Sequence, residues 1–514
     1  MRHLEVILIK PSKYNPDGFV QRFWKGFMPN ATGRHIMSMT PAEASGAPVR
    51  VSWVDEYVYR PEEFMHLLSG SSDHRTLVAL VGVQSHQFQR ALDLAAFAVA
   101  HGCLAIIGGP HPMTCDTKDL QGRGVSFALA EAEQVWPTVI GDAAKGELQD
   151  VYGEGQRWAK ELNASVLVPP TKGELKRYAM PMIGVYPARG CTFRCNFCSV
   201  IKIAGRQVRS QPVDTTIQTL RAAKNAGVRI VMFTSDNMNK YPGARELMEA
   251  MIEARTGLRF FCQCDTQIAG REDLIALMAR AGCFQMFVGA ESFDRETLIA
   301  AHKAQNRPET YRRIVDACRR HGIKSHFSSI IGFPNQDRAD IREHVNRLLA
   351  LDPDAASFYV LTPFPGTEQY GDFRRQGLLV EPNLDRYDTT HLVWRHPRLP
   401  PDELRRLLFE CYCRFYRLDR AFGKAVRRYG MRPGRVMSSM ETAVFNWMSG
   451  VLGRHPMSGG IGIRKIDHVR EYLPYRRKLF GDVLAGDCVP LPDNLELSVS
   501  DEETNRKASP LPAG

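Results

Sequence analysis

Three cysteines stand within eight residues of one another, Cys191, Cys195 and Cys198, in the run GCTFRCNFC. Thiolates are the ligands of iron–sulfur clusters, and a C-x3-C-x2-C spacing lets one flexible loop wrap a single cuboidal cluster. Three thiolates serve four irons, so one iron stays open to a small molecule, much as catalytic metal sites keep one coordination position free. Zinc is the competing occupant, but it usually takes two paired knuckles, and the chain has no second C-x2-C. Gly190, ahead of the first ligand, permits a tight entry to the loop. Phe197 is placed to shield one cluster face from water.

Such a loop needs a rigid support at a strand end. From Met182 onward, strand patterns at 183–186, 230–234, 259–263, 286–289, 324–331 and 358–361 alternate with amphipathic helical patterns at 215–226, 244–254, 272–280, 308–320 and 337–351. Six strands, each followed by a helix or a long loop, predict a partial or full TIM-type (β/α) barrel with its chemistry at the strand C-terminal ends. The cysteine loop follows the first of them. Upstream, strand patterns at 6–9, 49–54, 77–83 and 104–107, with a helix at 88–101, predict a separate parallel α/β sheet of Rossmann-like form. The expected fold is therefore α/β: a Rossmann-like domain at 1–165, a half-barrel at 166–380, a helical C-terminal region at 381–489 and a disordered tail at 490–514. Pro169-Pro170 mark the first boundary. Helices are expected at 401–418 and 419–429, followed by a Gly-rich stretch at 458–462.

At 514 residues, 44% apolar and 24% charged, the chain has the composition of a multidomain globular protein. Twelve cysteines without a secretory leader point to a reducing, cytoplasmic setting and thiolate chemistry rather than a disulfide framework. No segment is apolar enough to span a bilayer; the most apolar, 91–109, is interrupted by Asp93 and His101. The net charge of +11 is scattered, which speaks for solubility and against a nucleic-acid partner. Its densest stretch, 417–435 with Lys424, Arg427 and Arg428, is either a solvated helix face or a docking face for a phosphorylated or membrane-bound substrate.

The loop, with an aromatic residue before its third cysteine, resembles the cluster-binding signature of the radical S-adenosylmethionine (SAM) superfamily, and the likeness runs over about 182–370. The resemblance implies a [4Fe-4S] cluster on Cys191, Cys195 and Cys198, chelated by the amino and carboxylate groups of SAM, which it cleaves reductively to a 5′-deoxyadenosyl radical. By the same likeness Phe197, Asp236, Asn237 and Glu291 bind SAM. Asp236 alone would serve as well as a helix N-cap, and Glu291 as a salt-bridged surface residue. Gly332-Phe333-Pro334 and 363–367 resemble that family's strand-end turns. Cys262 and Cys264 share one strand face and read most simply as buried thiols.

Ser85 and His86, together with Gly108, Gly109, Pro110 and His111, resemble the strand ends of the cobalamin-binding domain that precedes many radical SAM modules. Of these, Ser85, Gly108, Gly109, Pro110 and His111 are the expected cobalamin contacts. The acidic pair Glu131 and Glu133 follows the next strand. The chain lacks D-x-H-x-x-G, so cobalamin is expected without a histidine on its lower face. The domain order implies a cobalamin-dependent methyltransferase acting on an unactivated carbon of a small-molecule or lipid-like substrate, with a flavodoxin or ferredoxin as electron donor. It also leaves peripheral membrane contact open. A radical cyclase or other carbon–carbon bond-forming or oxidative enzyme has the same signature. A non-catalytic corrinoid or iron–sulfur sensor would need no SAM pocket. Trp394, Tyr412, Phe415 and Tyr416 are either substrate-cavity walls or core.

Overall fold

The computed structural model describes residues 3–155, 157–456 and 459–481. β1 (Leu4–Lys10), LEVILIK, is buried over most of its length, as a near-continuous apolar run on a doubly covered strand should be. β2 (Phe19–Gly26) leaves this sheet for a partner near the other end of the chain. After α1 (Ala31–Met39), β3 (Ala47–Asp55) and β4 (Arg75–Leu80) pair in parallel on either side of β1. α2 (Phe88–Ala100) leads to β5 (Leu104–Gly108), then β6 (Ser126–Ala128) and α3 (Ala132–Lys145). The strand order β3-β1-β4-β5-β6 is extended at its edges by Glu43–Ala44 and Val151–Tyr152. In a doubly wound sheet of this order, ligands bind beyond the strand carboxyl ends, where the winding reverses.

The second sheet consists of β7 (Met182–Val185), β8 (Ile230–Phe233), β9 (Arg259–Cys264), β10 (Cys283–Glu291), β11 (Lys324–Ile331) and β12 (Ala355–Val360), neighbours in that order and all parallel. It stops at six strands, a curled half-barrel rather than a closed one, and all its carboxyl ends face one rim. Cys262, Cys264, Cys283 and Cys318 all lie in its core. β12 is one of its two edges, and α4 (Pro401–Phe415) with the residue after it covers that edge. The Tyr412 and Tyr416 hydroxyls accept from the Phe358 and Ala356 N–H groups at 3.1 and 2.9 Å. Trp394 donates from its indole N–H to the Leu361 carbonyl at 3.1 Å. These aromatic residues are core and edge cover.

Beyond α4 come α5 (Leu418–Tyr429), α6 (Pro433–Val451), β13 (Gly460–His468) and α7 (Val469–Phe480). The C-terminal region is thus not purely helical: most of the Gly-rich stretch is β13, which pairs antiparallel with β2. Ser458 and the tail expected at 490–514 lie outside the described residues. The division expected at 380/381 crosses a shared core, since Leu361, Tyr370, Trp394 and Phe480 pack with the first sheet. In the basic stretch, Lys424 pairs with Asp352 at 3.0 Å and Arg428 with Asp354, so both brace the half-barrel.

A buried ion network ties the two chain ends together. Glu56 accepts from Arg22 at 3.0 Å and Arg90 at 2.9 Å, Arg22 also meets Asp467 at 2.6 Å, and Arg476 lies 3.3 Å from Asp93. Against the cost of burial, the two guanidiniums hold the Glu56 carboxyl below its usual range. Removing one member of such a set strands the others without compensation. Glu56→Ala is therefore expected to cost about 3–5 kcal/mol, read as a lower urea midpoint. Arg417→Ala, which breaks an exposed pair with Asp419, should leave the urea midpoint almost unchanged.

Candidate functional site

The cysteine loop is pinned at several points. Gly190 has φ +104°, and a Cβ there would fall 2.2 Å from the Gln207 carbonyl oxygen, so only glycine fits. Its N–H donates to Asp236 at 2.8 Å, the Cys191 N–H to the Gly205 carbonyl at 3.2 Å, and the Asn196 N–H to the Ala301 carbonyl at 3.3 Å. Burial raises all three thiols above their ordinary range, Cys198 up to about 12. They lie close enough to feel one another's charge, and the Lys303 ammonium opposes the rise at Cys195 and Cys198. Among the described residues no three Cys, His, Asp or Glu side chains converge as on one ion. A cuboidal cluster asks for a wider set, one thiolate to each of three irons. Three neighbouring thiols on a pinned loop beside a buried cation fit that group.

Glu291 ends β10 at φ +66°, beside a register shift, and such strained non-glycine positions cluster at functional sites. It is buried, with Lys303 at 2.6 Å and the Ser328 hydroxyl donating at 3.0 Å. The pair lies in the interior at the rim and not on the surface, where the alternative to a SAM contact would put it. Lys303 also lies 5.7 Å from the Phe197 ring, which is partly buried. Sequence reasoning missed Lys303 because a pair twelve residues apart across a strand end has no periodic signature. Residues that orient metal ligands are worth about 10–100-fold in metal affinity. Lys303→Met is expected to weaken iron retention against a chelator by about that factor, with Lys303→Arg recovering most of it.

Asp236 reaches both Gly190 and a large cavity, and burial raises its carboxyl. Asn237 donates to Asp265 at 2.8 Å and also touches Cys191, so it joins the cysteine loop to the end of β9.

That cavity, about 430 Å³, lies between the carboxyl ends of the two sheets. Gly82, Gly108, Gly109 and Pro110 line it from the first sheet; Tyr186, Thr234, Asp236 and Gln263 line it from the half-barrel. Gly109 has φ +139°, and a Cβ there would fall 2.1 Å from the Val83 nitrogen. Ser85 and His111 are not in this wall. They meet each other at 3.0 Å beneath it, with the imidazole 4.0 Å from the Phe88 ring. Glu131 accepts from Arg209 at 2.9 Å, and Glu133 meets Arg189 at 3.0 Å and His35 at 2.7 Å, linking the sheets at the cavity edge. Against burial, the His35 hydrogen bond and the Arg189 charge hold Glu133 well below the ordinary carboxylate range.

A second cavity of about 550 Å³ shares Gln84, Tyr186 and Thr234 with the first and is lined by Lys10, Tyr57, His86, Arg405 and His455 among others. Lys10 donates to Gln87 at 2.7 Å and to the Gly82 carbonyl; burial brings it down to about 7. His86 is brought down to about 3, so its ring is neutral. Lys10 and Tyr57, at strand ends of the first sheet, carry no sequence motif and were not anticipated.

An open parallel half-barrel with three thiols on the loop after its first strand, facing a Rossmann-like sheet across a cavity, defines an iron–sulfur enzyme that works on SAM. Residues 185–348 match the family model described as the Radical SAM superfamily. It is 25% identical to bacteriochlorophyllide d C-12(1)-methyltransferase of Chlorobaculum tepidum over 362 residues, 68% of this chain and 74% of the relative. Among solved structures it resembles the radical SAM methyltransferase TsrM of Kitasatospora setae (TM-score 0.57, 18% identity, 73% of this chain and 75% of that one). It also resembles the cobalamin-dependent SAM radical enzyme OxsB (TM-score 0.58, 12% identity, 99% and 80%). Both likenesses are of fold.

Proposed function

We propose that this protein is a cobalamin-dependent radical SAM methyltransferase that methylates an unactivated carbon of a small-molecule or lipid-like substrate. The observation that carries the reading is the 430 Å³ cavity, walled on one side by the glycine-bearing strand ends of the first sheet and on the other by the rim beside the cysteine loop. The TsrM structure is described with cobalamin and a [4Fe-4S] cluster bound and OxsB with aqua-cobalamin and SAM, and the curated relatives include hopanoid C-2 and C-3 methylases. When bound, the cluster supplies the electron that splits SAM, and cobalamin supplies the methyl carrier.

This chain's residues do the holding. Cys191, Cys195 and Cys198 present thiolates, and Lys303 offsets their charge. Asp236 fixes the loop entry and faces the SAM side of the cavity, where a carboxylate can pair with an ammonium. Gly108 and Gly109 let backbone approach a broad ligand. The second cavity, sharing a wall with the first, takes the substrate. No helix among the described residues is long and apolar enough to cross a membrane. A cytoplasmic location and reduction by a flavodoxin or ferredoxin follow from this reading.

The test is reconstitution with cobalamin and a low-potential reductant, using SAM labelled in its methyl group. Methyl transfer yields both 5′-deoxyadenosine and S-adenosylhomocysteine and puts label in the product. Deoxyadenosine with neither would mean cyclisation or oxidation, and absence of both would point to a sensor.

A further inference from the structure

We propose that the outer face of α6, with the tip of the β2/β13 ribbon, is a docking surface for an anionic lipid bilayer at the mouth of the second cavity. The reading of that cavity as the substrate site underlies the functional half of this inference. α6 and its C-cap show solvent an apolar stripe: Met437, Val444, Phe445, Met448 and the capping Leu452 are 62%, 40%, 38%, 39% and 58% exposed. Offsets of 7, 8, 11 and 15 residues place them on one helix face, interrupted by Glu441 and Thr442. On the ribbon, Trp24 is 69% and Ile461 47% exposed. The two sets meet, since the Phe445 ring packs edge-on to Phe27 at 5.8 Å and the Phe27 N–H donates to the Gly459 carbonyl at 3.0 Å. Exposed apolar side chains gathered in this number on neighbouring elements mark an interaction site.

Charge selects the occupant. Exposed Arg432 and Arg454 stand just beyond the two ends of α6, with Arg427 on α5 and Lys25 and Arg405 also exposed. Among the described residues Arg405 and Arg454 have no acidic partner. An apolar helix face bracketed by cations suits an interfacial helix on anionic headgroups; a second copy would oppose cations to cations. The position also fits. Arg405, Phe409, Gly453, Arg454, Gly459 and Ile463 line the second cavity, so the C-terminal end of the stripe borders its opening. A bilayer seated there would offer an amphiphilic substrate directly to that opening.

The experiment is co-sedimentation of the reconstituted holoenzyme with vesicles of equal phosphatidylglycerol and phosphatidylcholine, and with phosphatidylcholine alone. Binding is expected to the anionic vesicles and to fall with salt. Met448→Asp/Leu452→Asp, and separately Arg432→Glu/Lys25→Glu, should each weaken it roughly tenfold or more with unchanged circular dichroism and melting temperature. Failure to bind either vesicle, or equal binding by folded variants, would overturn the proposal. So would a stable dimer that Met448→Asp disperses, since the face would then belong to a second copy. Because the readout needs no turnover, an enzyme that methylates but ignores vesicles defeats this inference alone, and one that binds vesicles but makes no methylated product defeats only the proposed function.

Discussion

Replacing Cys198 by alanine is expected to bring 5′-deoxyadenosine formation to background and to strip the protein of iron–sulfur absorbance. The loop holds three iron corners with three thiols, and nearby carboxylates do not substitute: Glu291 is committed to Lys303 and Asp236 to Gly190. Two thiolates leave a second iron uncovered and the cluster open to hydrolysis. The comparison variant is Cys262→Ala. Cys262 is fully buried in the half-barrel core, so its loss removes a small apolar group at a cost of order 1 kcal/mol and should leave the cluster intact. Anaerobic reconstitution followed by iron and sulfide assay and chromatography of SAM cleavage products separates these outcomes. Full deoxyadenosine production by the Cys198 variant would remove the basis for the assigned chemistry.

The second large effect lies across the cavity. Gly109→Val should abolish cobalamin binding while cluster content stays near the wild-type level. A β-branched residue cannot adopt φ +139° without backbone strain of about 1–3 kcal/mol, and its Cβ would overlap the Val83 backbone. The strand ends of β4 and β5 must then part, and they form one wall of the cavity. Corrinoid per mole of protein, read from its visible absorbance, measures the loss. Gly141→Ala, inside α3 where a Cβ meets nothing within 4 Å, should bind cobalamin normally. If Gly109→Val retained corrinoid, the cavity between the sheets would not be its site.

The half-barrel is legible in the sequence because each strand is a short apolar run bounded by turn residues, and five of the helices between them keep a single apolar face. The cysteine loop is legible because three thiols at such spacing have few uses. What stays hidden depends on partners remote in the chain. In β2, Gln21 and Arg22 interrupt the apolar pattern, yet both are buried, and Arg22 is compensated by Glu56 and Asp467. β13 hides behind its glycines for the same reason: its alternation acquires meaning only against β2. α6 falls within the region expected to be helical but was not delimited as an element, since Gly434, Ser438 and Ser439 weaken its helical signal and its apolar stripe faces solvent. Ser85 and His111 flank strand ends that border the cavity, but sequence cannot say that their side chains turn toward each other beneath its wall.

The pairing of β2 with β13 has a consequence for synthesis. Gly26 and Gly460 are register partners, so the ribosome must add more than four hundred residues after β2 emerges before its strand partner exists. Through that interval the nascent chain carries an unpaired strand edge, and Arg22 and Arg90 have Glu56 but lack Asp467. Contacts of such sequence separation form late and slowly, and open edges invite misassociation meanwhile. Release of a chain truncated before residue 460 should therefore yield aggregation-prone protein even with both sheets complete, and closure of this ribbon is expected to be the last step of maturation.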